Sequence, residues 1–273
     1  MQIAYLILAH DNYVHLQRLI NALSTPYCRF YIHIDKKSNM PDIKGENIYF
    51  IKDRVKVYHS SFFEVEATIR LMEFAAADPC NEYFVLLSGA DYPVRSNTEI
   101  NEKLRSGGEF VQVLAWPNEY HPSSYFKYYY FNRVNRRSYD LKKKIFVSIE
   151  RLLRKLRIKK KIPFQIYTGS QWFALSVECA KHILSAVKCR KEYGNFFRSC
   201  RFPCESFFQT IIGNSRFKEK IRNKLTYVDF TKKGVAEISI DHIQEIEKGD
   251  YLFARKFNDN SIEIVNMIEK QRQ

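Results

Sequence analysis

Ile3-Ala4-Tyr5-Leu6-Ile7-Leu8-Ala9 opens the chain as an unbroken apolar run. A strand with one wet face alternates apolar and polar residues. A continuous run instead marks a strand covered on both faces, as in a parallel sheet. His10-Asp11-Asn12 supplies a turn with capping residues, and Leu16, Leu19, Ile20 and Leu23 follow at helical spacing. The pattern then recurs. Phe30–Ile34 reads as a second strand, closed by Asp35-Lys36-Lys37-Ser38. Residues 47–51 and 55–57 are short strand candidates. Residues 64–77 read as a helix that packs through Ile69, Leu71, Met72 and Ala75. Tyr83–Leu87 is another buried strand, ending in Ser88-Gly89-Ala90-Asp91-Tyr92-Pro93, and a short helix follows over residues 97–104. Strands alternating with helices predict an α/β fold built on a mixed, mostly parallel sheet flanked by helices.

In such sheets ligands bind beyond the carboxyl ends of the strands. His10, Asp11, Asp35, Lys36, Ser88 and Asp91 all fall there, where a nucleotide or nucleotide-sugar would sit. No G-x-G-x-x-G follows the first strand and no P-loop occurs, which argues against a dinucleotide oxidoreductase and a P-loop nucleotide hydrolase. No Asp-x-Asp pair stands at a strand end to hold a divalent metal under a diphosphate; Asp91 is alone there.

The remaining composition sets limits. The chain has 273 residues, 45% of them hydrophobic and 15% aromatic, a globular composition read here as one domain over residues 1–273. Cys28, Cys80, Cys179, Cys189, Cys200 and Cys204 fall in no metal-ligand spacing and are expected to be reduced thiols. Met1 to Ala9 lacks a basic leader and is too short for a signal peptide, and no stretch reaches the length of a membrane span. A cytoplasmic protein is therefore expected. Of the net charge of +14, +11 is carried between Arg133 and Lys161, where thirteen Lys/Arg face only Asp140 and Glu150. Within this segment Ile145, Phe146, Ile149, Leu152, Leu153 and Leu156 recur on one face of a helix. Residues 133–162 thus read as a basic amphipathic helical insertion. A helix of this kind suits the surface of an anionic membrane, contacted through residues 141–161, at the inner face of which the protein would be peripheral. The competing arrangement is a helix packed on the domain with a solvated basic face.

Six segments, in order along nearly the whole chain, together resemble the Core-2/I-branching enzyme family of β-1,6-N-acetylglucosaminyltransferase-like and xylosyltransferase-like enzymes. They are Ala4–His10, Tyr31–Ser38, Leu86–Pro93, Gly169–Leu175, Glu205–Thr210 with Asn214-Ser215, and Phe253–Phe257. The resemblance implies a GT-A type nucleotide-sugar-binding fold, a UDP-sugar donor with N-acetylglucosamine the expected sugar, and an inverting transfer to a hydroxyl of a glycan or lipid-linked glycan. It implies no cofactor, since the glucosaminyl members work without metal, in keeping with the missing Asp-x-Asp.

An inverting displacement needs a carboxylate to take the acceptor proton and cations to hold the departing UDP. By the resemblance Glu205 is the base, and Lys256 contacts the diphosphate. Lys232 and Lys233 are candidates for the second cation, where the glucosaminyl members carry an arginine. His10 and Asp35 would read uracil or ribose, and Asp91 would lie near the donor sugar. Gln171 and Trp172 fall where the family shapes the sugar side; xylosyl-type members carry an acid in place of Gln171, which leaves Glu205 as the better base. Tyr58-His59-Ser60-Ser61 departs from the family's Trp-Gly-Gly-x-Ser. His33 alternates with core residues and reads as structural. Two other functions compete: a non-catalytic glycan-binding relative, and a nucleic-acid-binding protein using the basic segment. The second is disfavoured by the apolar stripe and the lack of a nucleic-acid motif, so no nucleic acid is expected.

Overall fold

The apolar runs form the central strands, as a computed structural model of the chain shows; it describes residues 1–132, 135–136, 139–231, 234–258 and 261–272. The first half runs β1 (Ile3–Ala9), α1 (Tyr13–Leu23), β2 (Cys28–Ile34), β3 (Ile48–Phe50), α2 (Phe62–Ala76), β4 (Tyr83–Ser88), β5 (Asp91–Pro93), α3 (Asn97–Arg105), β6 (Glu109–Phe110) and β7 (Leu114–Ala115). After α4 (Ser124–Lys127) and α5 (Leu141–Lys155) come β8 (Tyr167–Thr168), β9 (Ala174–Ser176), α6 (Val177–Cys189), α7 (Lys191–Phe197) and α8 (Phe207–Gly213). The chain ends with β10 (Ile221–Arg222), β11 (Thr226–Val228), β12 (Phe230–Thr231), β13 (Gly234–Val235), α9 (Ile240–Lys248), β14 (Phe253–Arg255) and α10 (Ile262–Gln271).

Seven strands form the main sheet in the order β10-β6-β9-β4-β1-β2-β3. It is mixed and mostly parallel: only β9 runs antiparallel to its neighbours β4 and β6. Successive residues of β1 feed two separate cores, which is why its sequence does not alternate. Tyr5 and Ile7 pack with α1 and the C-terminal α9 and α10, while Ala4 and Leu6 pack with α2, α6 and α8. A smaller sheet, β11-β14-β5, brings the C-terminal strand β14 back against β5.

Parallel pairing aligns the carboxyl ends. Ala9 lies opposite Ile34, and Leu8 opposite Ser88. The turns beyond them are tied together: Asp35 N donates to Ala9 O, Gly89 N to Leu8 O, and Ser38 Oγ to His10 O at 2.6 Å. Gly89 has no room for a side chain, since a Cβ there would sit 2.9 Å from the Ala9 Cβ. Residues 55–57, a strand candidate, form no strand; Val55 N donates instead to His33 Nε2 at 2.9 Å. The basic insertion contains α5. Of its neighbours, residues 133, 134, 137 and 138 lie outside the described set.

Leu6 is fully buried in the central strand. Leu6→Ala is predicted to destabilise the fold by about 2–5 kcal/mol, through lost transfer energy and the cavity left behind. The midpoint of urea unfolding measures it. A cost within experimental error of zero contradicts burial of β1 on both faces.

Candidate active site

A cleft of about 490 Å³ opens at the aligned strand ends. His10 and Asp35 line it from the ends of β1 and β2, Gln171 and Trp172 from the turn before β9, and Glu205 from the turn before α8. The sequence therefore named five residues that the fold brings together across 195 positions, from His10 to Glu205. His10 is exposed and paired with Asp11 at 3.2 Å. Asp35 is buried, and Lys37 occupies both of its oxygens through the backbone amide at 2.9 Å and the ammonium at 2.7 Å. His33 also lines the cleft. Its Nε2 accepts the Val55 amide, and burial pushes its pKa down to about 4, so the ring is neutral and structural.

Glu205 ends a 3-10 turn, Pro203–Glu205, just ahead of α8. Pro203 cannot donate a backbone hydrogen bond, and Ser206 (φ −150°) leaves the helical region, so the chain kinks between turn and helix. Phe202, just before, holds a left-handed φ of 49°, a conformation that costs energy in a non-glycine residue and collects at functional sites. Gly169 N donates to Glu205 O at 2.9 Å, which fixes the turn from below. The Glu205 side chain is 33% exposed, and its Oε2 lies 2.8 Å from Nε2 of the buried His121. His121 Nδ1 is buried with no partner. This contact spans 84 residues, and nothing in the local sequence around His121 announces it.

Two expected residues sit elsewhere. Asp91 does not line the cleft: it is fully buried behind it, accepting from Ser88 N and Oγ at 2.9 and 2.5 Å and paired with Arg255 at 3.5 Å. Lys256 is exposed and is not among the lining residues; its neighbour Arg255 is. Arg255 pairs with Asp91 in the β14–β5 register. That contact points its guanidinium inward, 4.0 Å from the centroid of the Trp172 ring, so Arg255 covers one face of that indole. Its Nε is buried without a hydrogen-bond partner. Lys232 and Lys233 lie outside the described residues; Phe230 and Val235, on either side of them in sequence, line the cleft. Among the described residues no three His, Cys, Asp or Glu side chains are grouped to hold a metal ion.

Glu64 stands in the first turn of α2, where an acid is ordinary, and nothing in the sequence singles it out. Here its carboxyl lines the cleft beneath residues 57–60, accepting from Ser60 N at 3.2 Å and from the Cys204 thiol. Burial pushes its pKa up to about 7, and the nearby Glu205 charge adds to this; the hydrogen bonds and Arg255 oppose it. The unfolded chain loses this proton near the ordinary 4.5. Between the two values the folded protein keeps a proton that the unfolded chain has lost, so stability falls as pH rises from 4.5 towards 7. Glu64→Gln is therefore predicted to match the parent near pH 4 and to exceed it by about 2–3 kcal/mol near pH 8. Urea unfolding at both pH values measures this, and a gap that does not grow with pH contradicts the shifted carboxyl.

The Core-2/I-Branching enzyme profile matches residues 3–251. The mouse enzyme "Beta-1,3-galactosyl-O-glycosyl-glycoprotein beta-1,6-N-acetylglucosaminyltransferase 3" is 24% identical over 204 residues, covering 69% of this chain and 42% of that protein. Rat "Xylosyltransferase 1" is 24% identical over 262 residues, covering 89% of this chain and 30% of that protein. The chain thus spans less than half the length of these curated relatives. The solved structure of mouse xyloside xylosyltransferase 1, apo form, aligns with 94% of this chain at 9% identity and a TM-score of 0.39, at which a shared fold does not follow. The profile match over almost the whole length assigns the chain to the Core-2/I-branching enzyme family.

Proposed function

We propose that the chain is an inverting glycosyltransferase that moves a sugar, N-acetylglucosamine foremost, from a UDP-sugar to a hydroxyl of a glycan or lipid-linked glycan, without a divalent metal. The observation that carries this reading is one cleft lined by a part-exposed carboxylate on a buried histidine, Glu205 on His121, and by a buried guanidinium, Arg255. The named relatives support a sugar transfer of this class.

In the proposed step the acceptor oxygen attacks the anomeric carbon from the face opposite the diphosphate. Its proton passes to a Glu205 carboxylate oxygen. The bond from the anomeric carbon to the diphosphate oxygen breaks, and its electron pair leaves with UDP. His121 holds one oxygen of Glu205 and so orients the other. Arg255 faces the charge that develops on the leaving group. Asp91 already compensates much of that guanidinium, so a diphosphate needs a further cation. Lys256, Lys232 and Lys233 are the candidates for it. His10 and Asp35, at the ends of β1 and β2, are assigned to the nucleoside, and Gln171 with Trp172, which is 8% exposed, to the sugar.

Glu205→Gln is predicted to lower kcat by about 10²–10⁴-fold with little change in donor KM, the signature of a lost proton acceptor. UDP release over a panel of glycan acceptors measures it; a variant with parental kcat removes Glu205 from the chemistry. Arg255→Lys keeps Asp91 paired but loses the planar fork, and is predicted to weaken donor use by about tenfold. An unchanged kcat/KM for the donor sinks the assignment of Arg255 to the diphosphate.

A further inference from the structure

The basic segment resolves into a helix whose two sides are unlike. The inner side of α5 is fastened to the domain. Buried Glu150 accepts from Phe131 N at 2.6 Å and from the Arg136 guanidinium, and the Phe146 ring packs 5.1 Å from that of Phe131. The outer side carries Leu141, Ile145, Ile149, Leu152 and Leu156, which recur at intervals of four and three and so form one stripe. They are 71%, 50%, 39%, 55% and 60% exposed. Lys144, Arg151 and Lys155 flank the stripe on one side and Lys142 on the other, all exposed. Tyr139 and Ile158 extend the exposed apolar surface beyond each end.

We propose that α5 docks this protein on an anionic phospholipid bilayer, lying in the headgroup layer with the Leu141–Leu156 stripe turned into the acyl boundary. Five aliphatic side chains in one exposed row are not what a solvated surface helix presents; they mark a surface that is covered in use. The charges beside them select the cover. A second copy of the chain, meeting this face about a two-fold axis, would bring the basic flanks against their own images. A nucleic acid would satisfy the basic groups and leave the stripe in water. An anionic bilayer takes both at once, since the stripe enters apolar surroundings and each flanking cation meets a phosphate, about a fivefold gain in partition per charge. No helix among the described residues is long and apolar enough to cross a membrane, so the contact lies in the plane. Asn135, a few residues before α5, lines the cleft. Docking would therefore bring the cleft rim towards the headgroups, where a lipid-linked acceptor presents its glycan. That last consequence rests on the proposed function; the docking does not.

The test is co-sedimentation of the full chain with phosphatidylglycerol–phosphatidylcholine vesicles and with pure phosphatidylcholine vesicles. Binding to the anionic vesicles is expected, weakened by salt, and at least about tenfold weaker on the neutral ones. The triple variants Leu141→Ser/Ile145→Ser/Leu152→Ser and Lys144→Glu/Arg151→Glu/Lys155→Glu should each lose about tenfold or more, with circular dichroism unchanged because every altered residue is exposed. Absence of binding to anionic vesicles at low salt overturns the proposal, as does undiminished binding by either variant. A stripe-dependent dimer in light scattering, without vesicle binding, gives the face to a second copy instead. Vesicle binding by a protein that releases no UDP from any sugar donor upholds the docking and removes only the transferase reading.

Discussion

Asp91 and Arg255 face each other across β5 and β14, fully or nearly out of water, and this contact ties the C-terminal strand to the turn after β4 at the floor of the cleft. Neither charge is tolerable there alone. An unpaired carboxylate or guanidinium at such depth costs several kcal/mol, so each residue fixes the other. The pair brings β14 into the small sheet beside β11, lays the guanidinium over Trp172, and puts a positive charge near the Glu64 carboxyl. Glu64 in turn accepts from the Cys204 thiol, one residue before Glu205. The cleft floor is thus one connected set of buried polar groups drawn from α2, β5, β14 and the turn before α8. In such a set the position of each member depends on satisfaction of the others.

That connectivity explains why some of the site was legible in the sequence and some was not. The central strands were readable because burial on both faces leaves a mark in one dimension, a run without alternation, at Ile3–Ala9 and Tyr83–Leu87. His10 and Asp35 were readable because a parallel sheet puts the residues after its strands on one edge. Arg255 and Lys256 are adjacent cations, and only the register of β14 on β5 decides which turns inward. Asp91 falls at a strand end like His10, but Ser88 and Arg255 hold it behind the cleft wall. His121 meets Glu205 across 84 residues, and a lone histidine in a loop carries no local sign of such a partner. The amphipathic period of α5 was plain in the sequence. Which side faces out depends on the anchoring of Glu150 by Phe131 and Arg136, a tertiary fact that the period does not contain.

The cleft and the outer side of α5 follow opposite electrostatic rules. In the cleft, charge is buried and mostly compensated: Lys37 with Asp35, Arg255 with Asp91, and Glu64 close to neutral, with a pKa near 7. Such a site suits a charged ligand that brings its own countercharge requirement and a reaction in which charge moves. On α5 the charge is exposed, uniform in sign and set beside apolar side chains. In the proposed docking that arrangement would act over a plane, by summed weak contacts and without chemistry.

The central claim, that this cleft receives a UDP-sugar and does so without a metal, is tested most directly by calorimetric titration of the purified protein with UDP and a panel of UDP-sugars in EDTA. The account predicts that UDP and one UDP-sugar, UDP-N-acetylglucosamine foremost, bind under those conditions. Failure of every UDP compound to bind, in EDTA and again with added manganese, contradicts it.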